Sequence, residues 1–372
     1  MIVMNHEVFS AGRFFGGGYL VKRIVLTGGG SAGHVTPNLA MIPYLQQKNW
    51  EIAYIGTHSG IERNLIGDLV PYYPISAGKL RRYFDLKNFT DPFRVLKGVF
   101  DAYRILRRVW PNVIFSKGGF VSLPVVIAAK FLGIPVILHE SDFTPGLANK
   151  LALPFATHLC LTFPETLKYV PSGKATVTGN PIRQTLFNGS REKGRQICHF
   201  HDGKPVILVM GGSLGAVRIN QVVRDALPEL LSKYQIVHIC GKNNVDSSIK
   251  LPGYCQFEYV DRELPDLFAL ADAVISRAGA NALFELLALK KPHILIPLSQ
   301  SASRGDQLLN ARSFAQQGFS LVLEEEKLSA VSLVHALDSL MRNRDQYIKA
   351  MSNTTLKDSI QTIMEIIERT AK

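Results

Sequence analysis

Two histidines stand where they could move a proton. His34 closes the glycine-rich stretch Thr27-Gly-Gly-Gly-Ser-Ala-Gly-His34, and His139 precedes Glu140 where the apolar run Ile134–Leu138 ends. An imidazole of near-neutral pKa suits general base work. A neighbouring carboxylate either orients such a ring or serves as base itself. His34, His139 and Glu140 are therefore the catalytic candidates, and residue type does not choose among them. The blander alternatives are a His34 that only contacts substrate or caps a helix, and a His139–Glu140 pair that only holds backbone. The glycines add a second chemistry. Turns of this kind present free N–H groups and a helix dipole to an anion. Three occur, at Gly28–Gly33, at Lys117-Gly118-Gly119-Phe-Val-Ser122 and at Gly211–Gly215. One such turn could merely permit a tight connection. Three at the carboxyl ends of strands, where open parallel sheets bind ligands, favour a phosphorylated ligand in each half.

The spacing Gly28-x-Gly30-x-x-Gly33 formally matches a dinucleotide fingerprint. That fingerprint expects a carboxylate at the end of the next strand, and here Ile52–Ile55 runs into Gly56-Thr57. A nicotinamide or flavin enzyme is thereby disfavoured. No Gly-Lys-Ser/Thr triplet and no Asp-x-Asp occur, so neither a Walker loop nor the usual metal signature of sugar-nucleotide enzymes is present. We expect no cofactor and no metal.

The elements that must carry these residues follow from apolar patterning. Arg23–Thr27 reads as a strand, then a turn, then a helix through Gln47. Further strands are expected at Ile52–Ile55, Val113–Ser116 and Val136–Leu138, with helices over Pro92–Arg108 and Ser122–Leu132. The second half repeats the plan: strand Val206–Met210, the second-half glycine turn, a helix over Ala216–Leu231, then strands at Ile236–Cys240, Gln256–Tyr259, Ala273–Ser276 and His293–Ile296. Short apolar strands alternating with helices imply parallel sheets covered on both faces. The fold class is thus α/β, two doubly wound Rossmann-like domains. We expect an extension over residues 1–21, a first domain over 22–180, a second over 181–344, and a last helical stretch over 345–372 that packs back on the first domain. Superposing the turns sets Gly29-Gly-Ser-Ala-Gly33-His34 on Gly211-Gly-Ser-Leu-Gly215-Ala216. Only the first copy carries a histidine, so the turn itself does not need one.

A chain of 372 residues exceeds one ordinary core and fits two domains. The 47% hydrophobic and 19% charged content is that of a well-packed protein, and no run approaches the ~20 apolar residues of a membrane span. Cys160, Cys198, Cys240 and Cys255 form no paired motif, which fits reduced thiols better than a disulfide framework. The net charge of +12 is uneven: residues 1–180 hold 19 basic and 10 acidic side chains, and Lys79–Arg108 alone holds nine and three. Such a segment attracts nucleic acid or anionic lipid alike.

Taken in order, Gly29–His34, Lys117–Ser122, His139-Glu-Ser-Asp142, Gly179-Asn-Pro-Ile-Arg183, Gly211–Gly215, Ser276-Arg-Ala-Gly-Ala-Asn-Ala-Leu-Phe-Glu285, Ile296-Pro-Leu298 and Arg304-Gly-Asp-Gln307-Leu-Leu-Asn310 resemble the MurG family of peptidoglycan N-acetylglucosaminyltransferases. The resemblance runs from Lys22 to the C-terminus. It implies a GT-B fold, two Rossmann-like domains facing across a cleft. It also implies inverting transfer of N-acetylglucosamine from UDP-GlcNAc to the C4 hydroxyl of the muramyl sugar on undecaprenyl diphosphate (lipid I), giving lipid II. On that resemblance Glu285 takes the ribose diol, backbone at Val260 reads the uracil, and Gly212 and Ser213 hold the diphosphate that Arg183 helps neutralise. Gln307 and Asn310 reach the transferred sugar, and Ala280, Asn281, Ala282, Leu283 and Phe284 shape the donor helix start. Ser31, Ala32, Gly33 and Asp142 join the donor side, while Gly30, Gly33, Gly118 and Gly119 cradle the lipid diphosphate.

Two positions depart from the family pattern. His-Glu-Gln-Asn is replaced by His139-Glu140-Ser141-Asp142, and Asp142 cannot donate as an amide does. The first turn reads Gly-Ser-Ala-Gly-His in place of Gly-Thr-Gly-Gly-His, which keeps the hydroxyl. The basic segment acquires a partner in this reading: Lys79, Arg81, Arg82, Phe84, Arg104 and Trp110 would seat the protein on anionic inner-leaflet lipid at the cytoplasmic face of a bacterial inner membrane. A solvated basic helix face is the plainer alternative, and nucleic acid is not expected since no recognised module accompanies the patch. Other cell-wall synthesis proteins are conceivable partners. The rival functions are another UDP-sugar glycolipid synthase of the same fold and a non-catalytic sugar-nucleotide-binding protein at the membrane.

Overall fold

The computed structural model describes residues 21–78, 91–212, 215–299, 305–354 and 358–372. The expected extension over 1–21 and the expected membrane residues Lys79, Arg81, Arg82 and Phe84 lie outside them, Val21 apart, as does Ser213. The first sheet is built from β1 (Arg23–Thr27), β2 (Glu51–Thr57), β3 (Tyr72–Ile75), β4 (Val113–Ser116), β5 (Val136–Glu140), β6 (His158–Leu161) and β7 (Ala175–Val177). Their order is β3-β2-β1-β4-β5-β6-β7, all parallel. The second comprises β8 (Val206–Met210), β9 (Gln235–Ile239), β10 (Tyr254–Phe257), β11 (Ala273–Ser276), β12 (His293–Leu295) and β13 (Leu321–Val322). It runs β10-β9-β8-β11-β12-β13, again all parallel.

The central strands are largely apolar because both of their faces are covered. Along β1, Ile24 and Leu26 enter one core and Val25 the other; along β8, Ile207 and Val209 enter one and Leu208 the other. Successive side chains point to opposite faces, so a run without polar alternation is what a doubly covered sheet requires. The covering helices of the first domain are α1 (Thr36–Gln47), α2 (Ile61–Ile66), α3 (Asp91–Val109), α4 (Ser122–Leu132) and α5 (Leu147–Ala152). Those that follow are α6 (Arg191–Cys198), α7 (Val217–Lys233), α8 (Leu264–Leu270), α9 (Ala280–Ala288), α10 (Asp306–Gln316), α11 (Ala330–Arg342), α12 (Arg344–Ser352) and α13 (Ser359–Thr370).

The chain leaves the first sheet at Val177, and Leu186 already packs in a core of the second domain. Helix α12 stays with the second domain through Met351. Helix α13 returns to the first, burying Ile360, Ile363, Met364 and Ile367 against Ile24, Leu26 and Met41. The single terminal helical stretch expected from sequence is thus two helices serving different domains. Strand β10 is displaced two residues N-terminal of its expected place; edge strands β3, β7 and β13, none a fully buried apolar run, escaped the sequence pattern, and so did the interior strand β6. Strand order reverses between β1 and β4 in one sheet and between β8 and β11 in the other. Loops diverge at such switch points and leave a crevice. All three glycine turns follow the strands that flank these two crevices, and the loop after β11 leads into α9, which carries Glu285.

Candidate active site

The turn after β1 tightens into a short 3₁₀ segment, Ala32–His34, before α1. His34 Nδ1 lies 3.0 Å from the carbonyl of Gly29 and 3.1 Å from Ser31 Oγ. A carbonyl only accepts, so Nδ1 carries the proton and the neutral ring keeps its lone pair on Nε2. The turn is held from below by a residue that sequence reasoning missed. Glu62, on α2 and fully buried, accepts from Gly30 N at 3.1 Å and from Thr57 N at 3.0 Å, with Thr57 Oγ1 at 2.5 Å. An internal carboxylate therefore takes the Gly30 N–H that the sequence reading gave to a lipid diphosphate. Its partner Gly30 lies 32 residues away, so no local signal marked it.

The second glycine turn packs on the first. Gly119 has φ +84°, and a Cβ there would meet the Gly29 carbonyl at 2.2 Å. Gly118 is likewise left-handed, at φ +82°, against Asn149. Ahead of them Lys117 is buried with its ammonium 2.7 Å from His139 Nδ1 and hydrogen-bonded to Ser141 Oγ. Burial lowers the Lys117 pKa to about 7, against the pull of Glu140, Asp142 and Cys160. His139 is fully buried, and its Nε2 donates to the carbonyl of Gly179 at 3.0 Å. Burial first, and the Lys117 charge next, hold its imidazole well below its ordinary value. Both ring nitrogens are thus committed to protein groups. Glu140 is committed too, accepting from Asp142 N at 3.0 Å, Gly146 N at 2.8 Å and Asn149 Nδ2 at 2.9 Å. It organises the loop from β5 to α5.

Across the cleft, Glu285 sits on α9 with 8% exposure, and burial raises its carboxyl pKa against the pull of Arg183. Arg183 stands between two carboxylates, 3.7 Å from Glu285 and 3.6 Å from Asp261. Val260, beside Asp261, is buried, whereas Gly212 is exposed with φ +94° and open space where a Cβ would project. Among the other expected donor residues, Leu283 and Phe284 face inward; Phe284 packs edge-on against Phe163 of the first domain and Phe314 of α10. Ala280 is buried in the same core and Ala282 half-buried. Gln307 Oε1 accepts from Leu298 N at 3.1 Å.

Asn310, fully buried, accepts from Phe143 N at 3.1 Å and donates to Asp142 Oδ1 at 3.3 Å and Ala278 O at 3.2 Å. Its amide ties the two domains together beneath the cleft, where the sequence reading had it reach for the sugar. Asn281 Nδ2 donates to Gly33 O at 3.2 Å, which brings the His34 turn directly against the start of α9. Among the described residues no group of three or more His, Cys, Asp or Glu could hold a metal ion.

Two Rossmann-like parallel-sheet domains, each with a glycine turn at its switch point and joined across a cleft, define a GT-B glycosyltransferase. Residues 24–160 match the glycosyltransferase family 28 N-terminal domain and residues 206–366 the family 28 C-terminal domain. Over 354 residues the chain is 58% identical to the UDP-N-acetylglucosamine–N-acetylmuramyl-(pentapeptide) pyrophosphoryl-undecaprenol N-acetylglucosamine transferase of Geobacillus thermodenitrificans, covering 94% of this chain and 99% of that one. It is 57% identical to the Clostridium novyi protein of the same name, with the same coverage. The crystal structure of Acinetobacter baumannii MurG superposes with a TM-score of 0.72 at 25% identity, over 94% of this chain and 99% of that one. The chain belongs to the MurG family of N-acetylglucosaminyltransferases.

Proposed function

We propose that this protein transfers N-acetylglucosamine from UDP-GlcNAc to the C4 hydroxyl of the muramyl sugar of lipid I, giving lipid II. Family membership at 58% identity over 94% of the chain supports the reaction, and the pinned His34 ring carries the assignment of its base. With Nδ1 anchored on Gly29 O, Nε2 accepts the C4 hydroxyl proton as that oxygen attacks the anomeric carbon. The bond from that carbon to the β-phosphate oxygen breaks, UDP leaves with its electron pair, and the anomeric configuration inverts. Leaving-group charge is met by Arg183 and by the amides around Gly212 and Ser213. Glu285 takes the ribose diol through two acceptor oxygens, releasing Arg183 toward the phosphates. His139 and Glu140 act as supports of the 139–146 loop, a role their committed hydrogen bonds favour. The lipid diphosphate is met by the Gly118–Gly119 turn and the exposed rim of the first turn at Ser31 and Gly33.

The outward face of α3 supports seating on a membrane. Phe93, Leu96 and Phe100 are 74%, 66% and 60% exposed, Trp110 just beyond is 59% exposed, and Phe131 on the adjacent α4 is 75% exposed. Arg94, Lys97, Arg104 and Arg107 lie among them, with the Arg104 guanidinium 5.8 Å from the Phe100 ring. Apolar insertion with basic neighbours gives reversible binding to anionic lipid, here the cytoplasmic leaflet where lipid I is anchored. No helix among the described residues is long and apolar enough to cross a membrane.

Transfer of labelled sugar from UDP-GlcNAc to a short-chain lipid I analogue tests the reaction, with UDP-glucose and diacylglycerol as controls. Lipid-linked disaccharide from UDP-GlcNAc alone is expected. Product on diacylglycerol would favour a glycolipid synthase, and donor binding without turnover a sugar-nucleotide-binding protein.

A further inference from the structure

Lys117 is among the largest fully enclosed side chains, yet it carries an amine. Its partners lead in two directions, and both arrive at the linker between the domains. Through His139 Nδ1 it fixes a ring whose Nε2 donates to Gly179 O at 3.0 Å. Through Ser141 Oγ it reaches Asn180 Oδ1 at 3.4 Å. Asn180 Nδ2 then donates to Asn281 Oδ1 at 3.1 Å, and Asn281 Nδ2 to Gly33 O at 3.2 Å. This second branch starts under the acceptor-side turn, crosses linker and donor helix, and ends on the residue before His34.

The order of donors and acceptors in this chain is not arbitrary. An ammonium can only donate. Ser141 must therefore accept from Lys117 and pass its own hydrogen to Asn180, which turns the Asn180 oxygen toward Ser141 and its nitrogen toward Asn281. Asn281 in turn has only its nitrogen left for the Gly33 carbonyl. A neutral amine has a lone pair, so Ser141 could donate to it and the order would be lost. We propose that Lys117 is a positioning residue whose ammonium sets the direction of a hydrogen-bond chain that registers the two domains at the His34 turn.

The groups that bear on its charge are Glu140 at the end of β5, Asp142 on the loop after it, Cys160 on β6, and the neutral His139 on β5. With its pKa lowered to about 7, Lys117 loses its proton as pH rises through that value, and transfer falls on the alkaline side.

The test is a pH profile of kcat and KM for sugar transfer, on the full chain with UDP-GlcNAc and a soluble lipid I analogue. The wild type should decline above about pH 7, with the loss in kcat and not in donor KM. Asp142→Asn removes a charge that favours the ammonium, so its decline should begin at lower pH. At about pH 6, Lys117→Met, Ser141→Ala and Asn281→Ala should each lower kcat about tenfold, and Lys117→Met/Asn281→Ala should be no worse than Lys117→Met alone. Should Lys117→Met fail to fold, Ser141→Ala takes its place in the same cycle. A wild-type profile flat to about pH 9, an Asp142→Asn limb that stays put, or losses that multiply in the double variant would each overturn the proposal.

Discussion

The two domains begin with the same turn and fill it differently. In the first, Gly30 has φ +83°, its N–H is taken by the buried Glu62 carboxylate, and the Gly119 backbone is pressed against Gly29. In the second, Gly212 has φ +94°, is exposed, and has open space where a side chain would project. The likeness extends to the helix that follows. Asn38 and Asn220, as far apart in sequence as Gly30 and Gly212, are both buried and donate to backbone carbonyls, Thr27 O at the end of β1 and Cys240 O just past β9. One backbone device thus serves two ends. Where protein groups occupy the turn, it becomes a rigid mount that aims His34. In the second copy Gly212 lies open to solvent, while Gly215 N–H donates to Gly212 O at 2.9 Å. A glycine motif names the turn, and the neighbours decide what it holds.

The largest expected effect falls on the mounted turn. His34→Ala should lower kcat by about 10²–10⁴-fold with donor KM little changed, measured by single-turnover transfer; a loss of only a few-fold would take the base role from it. Next is the mount. Glu62→Ala leaves the Gly30 and Thr57 donors without their acceptor and should cost about 3 kcal/mol in urea unfolding, with kcat lowered as the His34 turn loosens. Equal stability with unchanged kcat would dissolve the contrast between the turns.

On the open side, Glu285→Ala should raise the UDP-GlcNAc KM strongly and leave the UDP-independent stability of the fold nearly unchanged. Because burial raises the Glu285 carboxyl pKa, donor affinity should also weaken as pH falls through that raised value, since the protonated form loses acceptor capacity. Calorimetric titration with UDP from about pH 7 to 5 reads the sign directly. Gly212→Ala meets no atom but must hold a left-handed backbone, which costs about 1–2 kcal/mol. Gly119→Ala, which meets Gly29 O at 2.2 Å, should cost visibly more in a melting experiment. The smallest effect on chemistry belongs to the α3 face: serine at Phe93, Leu96 and Phe100 should abolish flotation with anionic vesicles while kcat on a soluble acceptor holds within about twofold. Parallel loss in both assays would remove that face from membrane binding.

The amino-acid sequence by itself determined a good deal. Both sheets, their parallel sense, the placement of the glycine turns after β1, β4 and β8, and the family follow from apolar runs, glycine spacing and ordered motifs, because local periodicity and turn chemistry are written residue by residue. His34 and Glu285 stood out as candidates for the same reason, each lying inside a contiguous motif. What tertiary structure alone decided is which polar groups meet. Glu62 lies 32 residues from Gly30, Asn310 lies 168 from Asp142, and Asn281 lies 248 from Gly33, so no local pattern links them. His139 and Glu140 looked like free acid–base groups until burial set both ring nitrogens and both carboxylate oxygens against protein partners. Whether an imidazole or an ammonium works as a base or as a brace depends on what is packed around it, and that is a property of the assembled fold.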